Sequence, residues 1–96
     1  MELRQSFGAA LKQARSVQEK TQEDFAEVSG RTYLSALERG IYSPTIDKID
    51  ALASVLELHP LTLMTLCYHK AKPQVSTDEL LDRVRSELKL FGGADL

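Results

Sequence analysis

Residues 21–40 read TQEDFAEVSGRTYLSALERG, from Thr21 to Gly40. Thr21 is a good helix N-cap, and Asp24 three residues on can return a bond to its backbone in a capping box. Phe25, Ala26 and Val28 then give one apolar side. Ser29-Gly30 interrupts the pattern where a left-handed residue is easiest to place. A second short helix follows, with Tyr33 or Leu34 and Leu37 turned inward at three- to four-residue spacing. Arg31, Thr32, Ser35, Ala36 and Arg39 make up its outer side, and Gly40 stops it. Two helices on so short a link, the second small and polar outside, suit a helix that enters the major groove of DNA.

The rest of the chain supports this pair. Leu3, Phe7, Ala10, Leu11 and Ala14 repeat at helical spacing and predict a first helix over about Glu2 to Val17. After the loop Ile41-Tyr42-Ser43-Pro44, Thr45 is a second N-cap. A helix from Ile46 to about Glu57 then buries Ile46, Ile49, Leu52, Ala53 and Leu56. His59-Pro60 starts a fifth helix, Pro60 suiting its first position, and Leu61, Leu63, Met64 and Leu66 follow until near Tyr68. The expected fold is therefore all-α, five helices over residues 1–70 with no alternating run that would argue for a strand. Residues 71–76 read as a linker containing Pro73. Ser76 or Thr77 then opens an amphipathic C-terminal helix over 77–92, closed by Gly92-Gly93. Its Leu81, Val84, Leu88 and Phe91 alternate steps of three and four, the seam of a short coiled coil. That helix either packs on its own domain or joins two copies into a homodimer.

Several residues in these segments carry a family resemblance. Thr21-Gln22-Glu23 with Phe25-Ala26, and Thr32-Tyr33-Leu34-Ser35 with Leu37-Glu38-Arg39-Gly40 and then Pro44, resemble the helix-turn-helix of Xre/Cro-type phage repressors and bacterial regulators. The likeness runs from about Phe7 to Leu66. It implies a five-helix repressor-like domain that binds double-stranded DNA. It also implies an ion pair between Arg15 and Glu38 that ties the first helix to the third. Gln22, at the opening of the second helix, is implied as a phosphate contact beside free backbone N–H groups. Arg31, Thr32 and Ala36 match positions that face bases in related repressors. Arg31 has two roles open to it, a guanine edge or a phosphate. Thr32 either faces bases or caps the helix, and Ala36 can touch only a thymine methyl. Ser35, Arg39 and Ser43 fall near bases or backbone. Tyr42 either joins them or fills the core, and Lys48 is a further phosphate candidate.

The chain departs from the family pattern twice. Glu19-Lys20 stands where the family has glycine and an apolar residue, so the first helix lacks its usual stop. The turn between Gly30 and Arg31 is about two residues short. Either the second helix gives up part of a turn or the recognition helix starts later.

Composition sets the remaining bounds. Ninety-six residues, 43% hydrophobic and 27% charged, suffice for one domain with a core of its own. The net charge is −2, but residues 1–48 hold seven basic and seven acidic side chains, and the excess acid falls in residues 73–96. The absence of a strong basic field predicts modest, salt-sensitive non-specific DNA affinity. One cysteine, Cys67, excludes an internal disulfide and fits a reducing compartment. With no long apolar run and no signal-peptide core, the expectation is a cytoplasmic protein that does not enter a membrane. His59, His69 and Cys67 lack partners at metal-ligand or catalytic spacing, and there is no glycine-rich phosphate loop. No cofactor and no enzymatic activity are expected. Function on these grounds is sequence-specific transcriptional regulation, as a repressor homodimer on an inverted-repeat operator. The alternative is an antitoxin or adaptor that uses the same scaffold to bind protein.

Overall fold

The stripe of Phe7, Ala10, Leu11 and Ala14 is buried along one helix, and the other elements collect around it. A computed structural model of the chain describes residues 1–92. Within it α1 spans Leu3–Val17, α2 Arg31–Glu38, α3 Ile46–Leu56, α4 Pro60–Ala71 and α5 Thr77–Leu88. Two short 3-10 turns, Gln22–Phe25 and Lys89–Phe91, complete the regular structure, and there is no strand among the described residues. Phe25, Leu34, Leu37, Leu52, Ala53, Leu56, Leu63 and Cys67 close on the α1 stripe to form one core.

The second expected helix is only a 3-10 turn. Its capping box is present, with Asp24 N donating to Thr21 Oγ1 at 3.3 Å and Thr21 N donating to Asp24 Oδ2 at 2.7 Å. The segment then loosens into turns before Gly30. The missing residues have thus come out of the second helix, while the recognition helix keeps its start. Phe25 still reaches the core and Val28 half does, but Ala26 is exposed.

Helix ends follow local chemistry. Thr45 Oγ1 accepts from Lys48 N, and His59 Nδ1 accepts from Leu61 N at 3.0 Å just ahead of Pro60. Ser76 and Glu79 form a capping box on α5. Three helices end on a left-handed residue whose neighbour bonds back across the last turn: Glu19 after α1, Gly40 after α2 and Glu57 after α3. Glu19 occupies the place where the family has glycine. The stop survives the substitution because Lys20 N still donates to Arg15 O at 2.8 Å, with φ +56° at Glu19.

Five sequence expectations need correction. Ile46 is 84% exposed, because it occupies the first residue of α3, ahead of the stretch that packs on its neighbours. Leu61 is 69% exposed at the corresponding end of α4, and Leu3 is half exposed at the first residue of α1. Helix α4 continues past Tyr68 to Ala71, so the connector shrinks to residues 72–76, held by His69 Nδ1 donating to Val75 O at 2.9 Å. Helix α5 stops at Leu88, so Phe91 lies on the 3-10 turn after it; Gly93 lies outside the described residues.

Leu80, one position from the expected seam, is half-buried. It lines an apolar cavity with Leu3, Tyr68, Ala71 and Val75, and so docks α5 on its own domain. Leu81, Val84 and Leu88 remain 42–50% exposed and Phe91 76%. No residue of α5 is fully buried. The radius of gyration, 14.3 Å, exceeds the roughly 12.5 Å typical of a globule of this length, in keeping with a helix that extends from the body. No single helix is long and apolar enough to cross a membrane, and no group of three His, Cys, Asp or Glu side chains among the described residues could hold a metal ion.

Candidate nucleic-acid interface

Helix α2 is eight residues long, which makes its placement depend on neighbours more than on its own hydrogen bonds. Leu34 and Leu37 pin its inner side to the core with no exposed surface. Gly30 is its N-cap, in extended conformation and without a side-chain bond, so Thr32 is not the cap. On the outer side Arg31, Ser35 and Arg39 follow one another at four-residue steps, with Thr32 beside them. Arg31, Thr32 and Arg39 are exposed and Ser35 is half-buried. Arg39 Nε lies 3.4 Å from Ser35 O, which lays the guanidinium stem back along the helix.

Ala36 does not belong to this face. It is 4% exposed, and the reversal at Gly40 returns the chain to it, with Ile41 N donating to its carbonyl at 3.0 Å. Its methyl has no path to a thymine. The outer face is correspondingly more polar than the sequence pattern implied.

Behind α2 lies a charged anchor. Arg15 Nε donates to Glu38 Oε2 at 2.7 Å and Nη2 to Oε1 at 3.1 Å, a two-point bond from α1 to the last residue of α2. The Arg15 side chain is 19% exposed and that of Glu38 only 6%. The hydrogen bond to Glu38 holds the Arg15 guanidinium above its ordinary pKa, against the opposing pull of burial, with the carboxylate's charge adding to it. Arg15 Nη1 also donates to Lys20 O at 3.2 Å, joining the anchor to the end of α1. Gln22 Nε2 donates to Glu38 Oε1 at 3.1 Å. A carboxylate can only accept, so this bond sets the orientation of the Gln22 amide. Gln22 thereby ties the 3-10 turn to α2 and keeps one N–H for another partner.

The residues expected after α2 separate into two groups. Ser43 is exposed on the loop. Tyr42 is outside the core, 51% exposed, with its ring stacked on Tyr33 at 5.7 Å between centroids and 17° between planes. Lys48 turns back toward the protein. Its ammonium donates to Val28 O and stands 5.6 Å from the centre of the Tyr33 ring.

One glycine matters here that the sequence pattern did not single out. A Cβ on Gly8 would stand 2.4 Å from Leu37 O and 2.7 Å from Glu38 O, so α1 approaches the end of α2 backbone to backbone. The available signal was that Gly8 precedes Arg15 by seven residues, two helical turns, and so shares its face. Gly30 shows nothing within 4 Å of such an atom. Ile41 and Ile46, 46% and 84% exposed, flank the Tyr42 loop.

The sequence matches the helix-turn-helix family over residues 11–63. No curated protein matches it. The structure is similar to the crystal structure of the clp gene regulator ClgR from Corynebacterium glutamicum, with a TM-score of 0.72, 25% sequence identity and 97% of each chain covered.

Proposed function

We infer the function from one premise: the chain belongs to the helix-turn-helix family. It is a DNA-binding transcriptional regulator whose recognition helix is α2. The observation that carries this reading is the exposed row of Arg31, Thr32, Ser35 and Arg39 on a helix whose other side is fastened by Leu34, Leu37 and the Arg15–Glu38–Gln22 anchor. A guanidinium at each end of an eight-residue helix suits one base-edge contact and one backbone contact in a major groove. The likeness to a gene regulator over 97% of both chains, α5 included, supports the same class.

Two copies associate through the half-exposed seam of Leu81, Val84 and Leu88 on α5, with Phe91 beyond its end, and bind an inverted repeat whose half-sites are about one helical turn, roughly 34 Å, apart. Occupancy of the operator by itself obstructs transcription, so the protein acts as a repressor. Gln22 offers its remaining amide N–H to phosphate at one edge of the groove, and Arg39 and Ser43 hold the backbone at the other. A neutral N-terminal half leaves affinity dependent on these few contacts, each adding about 0.9 to the salt slope.

The test is charge reversal of Arg31→Glu and Arg39→Glu together. Both side chains are exposed, so circular dichroism should be unchanged while DNA affinity falls about 100-fold or more. DNA binding that survives both changes would move the interface to another face. Partner-protein binding by a chain that never binds DNA would favour the interaction-module reading, which the exposed Ile41 and Ile46 beside α2 also suit.

A further inference from the structure

We propose that Lys48, together with Tyr33 and Tyr42, is a positioning residue that sets the pose of α2, and that it makes no phosphate contact; this rests on the DNA-binding reading above. The shortened turn creates the need. A four-residue 3-10 turn leads into α2, and Gly30 gives α2 no side-chain cap. The anchor at Glu38 fastens only the far end of the helix. Something must fix the near end, where Arg31 and Thr32 project.

The Lys48 side chain is placed to do so. It leaves the first turn of α3, donates to Val28 O in the turn before α2, and lies against the face of Tyr33 on α2 itself. Tyr33 in turn stacks on Tyr42 in the loop after α2. One ammonium and two rings thus join the turn, the helix, the following loop and the next helix. The Val28 carbonyl stands outside any helix and gains a charged donor from this contact. A cation over an aromatic face that also donates to a carbonyl has two of its water contacts replaced at once.

A phosphate contact and a positioning role differ in their salt dependence. Each phosphate contact contributes about 0.9 to the slope of log affinity against log salt, whereas an internal clasp contributes none. The full chain and the duplex it selects from a random pool are used, with fluorescence anisotropy across a salt series for wild type and Lys48→Met. Loss of the clasp should weaken specific binding about ten-fold per protomer and reduce discrimination against a scrambled duplex, with the slope unchanged. A slope lower by about 0.9 per protomer would make Lys48 a phosphate contact and overturn the proposal. Unchanged affinity would overturn it as well.

Should Lys48→Met fail to fold, proton NMR of the wild type decides. The Lys48 ε-methylene protons, over the Tyr33 ring, should be shifted upfield in the free chain and remain so on DNA. Their return to ordinary lysine values in the complex would show the clasp opening toward phosphate and refute the claim. A folded wild type that selects no duplex defeats the DNA-binding reading and this proposal together; binding with any of the contrary results above defeats this proposal alone.

Discussion

Replacing Gly8 by alanine sets two opposing effects against each other. Gly8 lies in the interior of α1, where alanine is favoured over glycine by about 1 kcal/mol of helix propensity. Against this, the new methyl would stand 2.4 Å from Leu37 O, where ordinary contact begins at 3.4 Å, a shortfall of 3.4 − 2.4 = 1.0 Å. The opposing atoms are backbone carbonyls of α2, which no rotamer change can move aside. Helix α1 must retreat from α2, and the retreat loosens Leu11 against Leu34 and Leu37 in the same core. Overpacking of this kind costs about 1–3 kcal/mol, and a backbone-to-backbone clash belongs at or above the upper end. The net is a loss of about 2 kcal/mol, or roughly 10 °C in Tm for a domain of this size. Thermal unfolding followed by circular dichroism measures it, with Gly30→Ala as a control expected within about 0.5 kcal/mol because its new methyl meets nothing within 4 Å. A Tm that rises in Gly8→Ala would mean that propensity prevails and that the close approach of α1 to α2 is not what holds the recognition helix.

Further outcomes follow from the anchor, the helix ends and the buried thiol. Glu38→Gln strips the charge from a pair only 6% and 19% exposed and should cost about 2–3 kcal/mol in urea unfolding; a cost below about 0.5 would place the anchor among weak surface pairs. Because the Arg15 pKa is raised, its contribution is complete below the ordinary arginine range and is lost only above it, so Arg15 adds no pH dependence near neutrality. Glu19→Gly relieves a left-handed glutamate and should stabilise by about 0.5–1 kcal/mol, less than the full strain because glycine also frees the unfolded chain; destabilisation would count against strain at that stop. Burial raises the Cys67 pKa, a hydrogen bond with Ser6 opposing it in part. The unfolded thiol therefore ionises first, and stability should fall as pH rises above about 8.5, while native Cys67 resists iodoacetamide; alkylation at the rate of a free thiol would contradict its burial. Leu88→Asp, at a half-exposed position, should give folded monomers in sedimentation velocity, and an unchanged dimer would place the interface elsewhere.

Much of the fold was legible because its signals are local. The Thr21–Asp24 box, Thr45, His59-Pro60 and Ser76 mark helix starts through bonds that span two or three residues, and each forms where the spacing predicted it. The Arg15–Glu38 pair was implied by the family resemblance, and both side chains meet at hydrogen-bond distance. What escaped the sequence depends on contacts between distant segments. Ile46 and Leu61 keep the helical period of the core, yet they lie at helix starts and stay largely exposed, which periodicity cannot register. Ala36 matched a base-facing position but is buried, 4% exposed. Lys48 reads as a phosphate candidate at a helix start, yet its ammonium donates to Val28 O and stands over the Tyr33 ring. The missing two residues were visible as a gap in the pattern; that the 3-10 turn and not α2 would absorb them required the three-dimensional packing.

Whether the outer face of α2 reads DNA sequence is decided by selection from a random duplex pool at near-physiological salt, run in parallel with wild type and Arg31→Glu. The wild type should enrich an inverted repeat with half-sites about one helical turn apart, and the folded variant should lose that enrichment. The same repeat enriched by both proteins, or by neither, would contradict that role for α2.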